Sequence, residues 1–122
     1  MIFQLKQQFQ IESARFLPNL PADHPCSRVH GHSFCIILTL EGALDPKIGW
    51  VQDYHEISET VKPVLNQLDH KLLNDVPGLE NPTSELLAFW VHAKLIATLP
   101  KLKQVTIKET STTECSYPAK FY

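Results

Sequence analysis

Residues 2–15 alternate with a period of two, and nothing else in the chain constrains its fold as strongly. Phe3, Leu5, Phe9, Ile11 and Ser13 fall on one face, and Gln4, Lys6, Gln8, Gln10 and Glu12 on the other. That pattern is a half-buried strand, one side against a core and one toward water. The loop LPNLPADHPC follows, and the alternation resumes at His32, with Phe34, Ile36, Leu38 and Leu40 set against Cys35, Ile37, Thr39 and Glu41. Gly42 and the Asp45-Pro46 pair end this second strand. Gly49-Trp50-Val51 is a short apolar piece placed to pair back before a helix.

Asp53 and Glu56 have capping-box spacing. The helix they open reads Tyr54, Ile57, Val61, Val64, Leu65 and Leu68, with Pro63 inside it predicting a kink. The connection DHKLLNDVPGLENP leads to a second helix, which the Asn81-Pro82 pair opens with Pro at the first helical position. Leu86, Leu87, Trp90, Val91, Leu95 and Ile96 form its apolar face, and Pro100 stops it. Residues 102–110 alternate again, with Val105, Ile107 and Glu109 together, and the tail CSYPAKFY adds a candidate edge strand. Runs of strands and runs of helices predict an α+β fold, an antiparallel sheet with two helices packed on one face. The other face calls for a cover or a partner chain, because apolar residues remain on it.

A chain of 122 residues predicts one domain, spanning 1–122. Its net charge of −2 gives no basic footprint, which argues against nucleic-acid binding. No apolar run approaches the roughly 18 residues a membrane span needs. The start MIFQLKQQFQ lacks the apolar core of a signal peptide, and three cysteines, an odd count, suit a reducing cytoplasm with all three free.

The stretch CSRVHGHSF concentrates the chemistry. His30 and His32 are two apart, so on a strand both imidazoles point to the same side. They are either two arms of a metal site or two hydrogen-bonded histidines. Cys26 is either a small half-buried side chain or a reactive thiol. Asp69-His70 is an acid–imidazole pair, although neighbours on a chain rarely face one another. Glu109 continues an apolar face, and a carboxylate placed there must be paired or bound to something. Glu85 and Asp53 read as first-turn helix residues, and His24, His55 and His92 as structural or solvent-facing.

With these residues in place the chain resembles the 6-pyruvoyl-tetrahydropterin synthase family, and is most similar to its bacterial 6-carboxy-tetrahydropterin synthase branch. The motifs CSRVHGHSF, GWVQDY, LDHKLLND, PGLENPTSE and VTIKET carry the resemblance, in family order and over nearly the whole chain. It implies the T-fold, whose subunits close their sheets into a barrel as homo-oligomers, commonly hexamers, with active sites between subunits. It implies a zinc cofactor held by histidines, two of which match His30 and His32. Cys26, Asp69 and His70 match the catalytic proton-transfer triad, the pair acting on a neighbour's Cys26. Glu109 matches the glutamate that anchors the pterin by accepting two parallel hydrogen bonds. The implied substrate is a small molecule, 7,8-dihydroneopterin triphosphate, converted in queuosine biosynthesis to 6-carboxytetrahydropterin, acetaldehyde and triphosphate. Arg28 and Lys108 are our own candidates for triphosphate contacts.

One position departs from the family. The third zinc histidine belongs near the end of the first strand, and there IESARFLPN carries Arg15. Arginine keeps its proton and cannot be a ligand. A guanidinium about 5 Å from a divalent ion costs roughly 7 kcal/mol at an effective dielectric near 20. Three outcomes are open. Arg15 swings away and Cys26 or His24 completes the metal shell; the guanidinium takes the metal's place; or the chain binds pterin without turnover. The other catalytic positions are all present, which favours an enzyme.

Overall fold

The computed structural model describes residues 1–120. Its elements run β1 (Phe3–Arg15), β2 (His30–Gly42), α1 (Tyr54–Leu65), α2 (Ser84–Leu95), β3 (Leu102–Thr110) and β4 (Thr113–Tyr117). The strands form one antiparallel sheet in the order β1-β2-β3-β4. Both helices lie between β2 and β3 in sequence and supply the second layer. Ile11, Phe34, Ile36 and Leu38 from the sheet are buried with Ile57, Leu87 and Val91 from the helices. Burying each such side chain contributes about 1.5–3 kcal/mol. This is the α+β architecture that the alternation implied.

The opposite face differs from expectation. The β1–β2–β3 register sets Gln8, Gln10, Ser33, Cys35, Ile37, Thr39, Thr106 and Lys108 on it, so it is mainly polar, with Ile37 and Cys35 as its apolar members. Exposed apolar side chains gather elsewhere, at Trp50 and Tyr54 and at Leu86, Phe89 and Tyr117.

Local chemistry also moves several boundaries. Asp53 caps α1 by accepting from the His55 amide at 3.0 Å, but Glu56 bonds the Gln52 side chain, so the box is only half made. Pro63 sits in the last turn of α1, and the helix ends at Leu65. Leu68, expected within it, lies in a turn beyond and is still fully buried. The start of α2 is two residues later than the Asn81-Pro82 pair suggests, because the Thr83 hydroxyl accepts from the Leu86 amide and makes Thr83 the cap. Gly49-Trp50-Val51 is no strand. The Asp45 carboxylate accepts from the Lys47 and Ile48 amides, and Gly49 turns the chain with a φ of 88°. β4 begins two residues before the expected tail strand and ends before Pro118; residues 121–122 of that tail lie outside the described part.

Candidate functional site

The site grows from the end of β1 and the start of β2. In their register Arg15 stands directly across from His30, and Ser13 across from His32. Opposed residues point to the same face, so Arg15, His30 and His32 all belong to the helix-facing side. His30 Nδ1 lies 2.8 Å from the Arg28 carbonyl, which can only accept, so that nitrogen carries the proton and Nε2 is left as the lone-pair nitrogen. The His32 ring meets Phe34 edge-on at 4.9 Å between centroids. Its Nε2 is buried without a hydrogen-bond partner, 4.0 Å from Glu109 Oε2.

Arg15 is only 4% exposed. Its guanidinium donates from Nη1 to the Pro82 carbonyl at 3.0 Å and from Nη2 to Glu109 Oε1 at 2.5 Å, and it stacks over Phe34 at 5.0 Å. The Ser84 hydroxyl donates to the same Oε1. Two donors saturate that oxygen and leave Oε2 as the free acceptor of Glu109. Burial pushes the Glu109 carboxyl up, but the hydrogen bonds from Ser84 and Arg15, with the charges of Arg15 and His32, outweigh it and hold the group below the usual range. The late start of α2 matters here. Pro82, outside the helix, is free to turn its carbonyl to Arg15.

Asp69 and His70 do face each other, against the expectation for chain neighbours. His70 has a φ of 57°, the left-handed region, and its Nδ1 lies 3.1 Å from Asp69 Oδ2. The segment is stitched to the edge of β1. The His70 amide donates to the Glu12 carbonyl at 2.6 Å, the Ala14 amide to the Lys71 carbonyl at 2.9 Å, and the Glu12 amide to Asp69 Oδ1 at 2.8 Å. That last bond, first among the causes, holds the Asp69 carboxyl below its ordinary value. The imidazole itself is exposed.

A cleft of about 880 Å³ opens beside these groups, lined by His32, Glu109, His70, Lys71, Glu12 and Ser33 among others. The fold thus brings together three of the residues singled out in the sequence, His32, Glu109 and His70. Cys26, Arg28 and His30 are not in that lining. Cys26 sits half-buried in a 3-10 turn, Pro25–Ser27, its amide donating to His24 Nδ1 at 3.1 Å. Arg28 is exposed and contributes its carbonyl to His30. Lys108 points by alternation to the sheet face opposite Glu109. Sequence reasoning missed Ser84, which it carried only inside a motif. It also missed Glu12, read as an outward strand residue, whose carboxylate accepts from the Ser33 hydroxyl at 2.5 Å on the cleft wall.

The residues do not fit the zinc site that the resemblance implies. Among the described residues no group of three or more His, Cys, Asp or Glu side chains converges to hold a metal. The place where a third histidine would reach the other two is filled by a hydrogen-bonded guanidinium. No helix is long and apolar enough to cross a membrane.

Comparison with known proteins gives a consistent picture. The family described as 6-pyruvoyl tetrahydropterin synthase matches residues 4–120. A 6-carboxy-5,6,7,8-tetrahydropterin synthase of Synechocystis is 37% identical, covering 91% of this chain and 89% of that protein. A dihydroneopterin monophosphate aldolase of Pyrococcus furiosus is 34% identical, covering 66% of this chain and 70% of that protein. The structure of 6-pyruvoyl tetrahydropterin synthase from Caenorhabditis elegans superimposes with a TM-score of 0.88 at 24% identity, covering 98% of this chain and 97% of that one.

Proposed function

The chain belongs to the 6-pyruvoyl tetrahydropterin synthase family, and on that footing we propose that it is a 6-carboxy-tetrahydropterin synthase of queuosine biosynthesis. It is a lyase-type pterin enzyme, and 7,8-dihydroneopterin triphosphate is the substrate we assign to it. Triphosphate is eliminated from the side chain, and the chain is then cleaved to release acetaldehyde and leave the 6-carboxy group. The observation that carries this reading is the shared cleft, where a depressed carboxylate (Glu109) and an acid–imidazole pair (Asp69–His70) stand on opposite walls.

Each residue then has a role. Glu109 Oε2 accepts a hydrogen bond from the guanidine-like edge of the pterin, with Oε1 held by Arg15 and Ser84. His70, oriented by Asp69, moves a proton at the side chain. Cys26 joins from a neighbouring subunit, since it lies outside the cleft of its own chain. Arg28, exposed beside it, takes the triphosphate. The exposed Phe89 and Tyr117 rings, 5.0 Å apart, form an apolar patch suited to contact between copies in a cytoplasmic homo-oligomer.

A second reading, cleavage of the side chain without the carboxylate-forming steps, is favoured by the aldolase among the relatives. The test is to incubate the purified protein with dihydroneopterin triphosphate and follow pterin products by chromatography and acetaldehyde by a coupled dehydrogenase. Equal release of acetaldehyde and 6-carboxytetrahydropterin is expected. A 6-pyruvoyl product, or a hydroxymethyl pterin without acetaldehyde, would overturn the assignment in favour of another branch. Pterin binding without turnover would make the chain a binding protein.

A further inference from the structure

We infer that Arg15 is the resident cation of this site, standing where relatives place a metal, and that the chain excludes zinc by construction. The β1–β2 register puts residue 15 opposite His30 and diagonal to His32 on one face. A side chain at that position is aimed at the point on which both imidazoles converge. A guanidinium there removes the third ligand and brings a fixed positive charge in the same step.

Arg15 cannot simply swing out to admit a metal. Its two terminal nitrogens are engaged by Pro82 and Glu109, its plane lies on Phe34, and it is 4% exposed. Moving it would strip the half-buried Glu109 of its counter-charge and leave the Pro82 carbonyl unpaired. The remaining donors are two histidines of different disposition. His30 still has a ligand-like tautomer, its Nδ1 proton held by a backbone carbonyl, as metal-bound imidazoles commonly have. His32 Nε2 has only Glu109 Oε2 nearby, at 4.0 Å. Arg15 acts on bound ligand through Glu109, whose Oε1 it fixes and whose Oε2 it leaves turned to the cleft. It is therefore a positioning residue, set by a fork of donors that a lysine would not reproduce.

Metal content tests this without reference to turnover, so its outcome is separable from that of the reaction assigned above. The purified full-length chain is dialysed against micromolar zinc, and bound metal is counted by mass spectrometry. Less than one-tenth of a zinc per chain is expected, with close to one in Arg15→His and a rise in zinc affinity of at least 100-fold. Arg15→Lys should remain metal-free. About one zinc retained per wild-type chain would overturn the proposal, by showing that His30, His32 and a carboxylate suffice. So would a folded Arg15→His protein that binds zinc no more tightly than wild type. If that variant fails to fold, the melting temperature of the wild type decides. It should be unmoved by 100 micromolar zinc or by chelator, whereas a rise of several degrees with zinc would reveal a site on the native state.

Discussion

The Arg15 guanidinium lies 2.5 Å from the Glu109 carboxylate and joins the end of β1 to the end of β3, residues 94 apart in sequence. The arginine is nearly sealed and the glutamate about one-third exposed, at 5% and 31% for their side chains. Breaking a buried pair by removing one partner costs about 3–5 kcal/mol. Discounted for the partial exposure of Glu109, Arg15→Ala should cost about 2–3 kcal/mol and lower the melting temperature by roughly 8–12 °C. Urea denaturation of Arg15→Ala, Glu109→Ala and the double variant measures the coupling. Additive effects would mean that the pair contributes nothing as a pair.

Acid should remove part of this stability. The folded Glu109 carboxyl titrates below the unfolded one, despite burial, because Ser84 and Arg15 stabilise its charge. Its contribution is therefore fully present above the ordinary glutamate value of about 4.3 and is lost as pH falls through the lower folded value. The stability advantage of wild type over Glu109→Gln, followed by denaturation from pH 7 to pH 3, should hold to about pH 5 and shrink below it. An advantage that grew on acidification would contradict the pairing.

Ser84→Ala should shift the Glu109 titration upward, toward the ordinary value, because burial then opposes one hydrogen-bond donor fewer on Oε1. Carbon NMR of the labelled carboxyl reads this directly. An unmoved titration would show that Arg15 alone sets the charge state.

His70 holds a left-handed backbone that costs a non-glycine residue roughly 1–2 kcal/mol. His70→Gly relieves that strain while adding flexibility to the unfolded chain, so stability should change by less than about 1 kcal/mol. Turnover should fall by about 10²- to 10⁴-fold, the usual worth of a positioned acid–base group. Stability and turnover lost together would make His70 a structural residue only.

Much of this molecule was legible in its residues. Period-two alternation marked β1, β2 and β3, because a strand between core and solvent must alternate. Apolar spacing of three and four marked both helices for the corresponding reason. The histidine pair and the carboxylate on an apolar face were visible as chemistry. Other features depended on contacts between distant segments. Thr83 rather than Pro82 begins α2 because its hydroxyl reaches the Leu86 amide. Asp69 and His70 meet because hydrogen bonds to Glu12 hold the chain in a left-handed turn. The sequence by itself determined that an arginine stands where the family would have a histidine. Only the tertiary structure decided what that arginine does. A charge at position 15 can remain buried only with a counter-charge and acceptors, and those come from Glu109 and Pro82, which no local pattern brings to it.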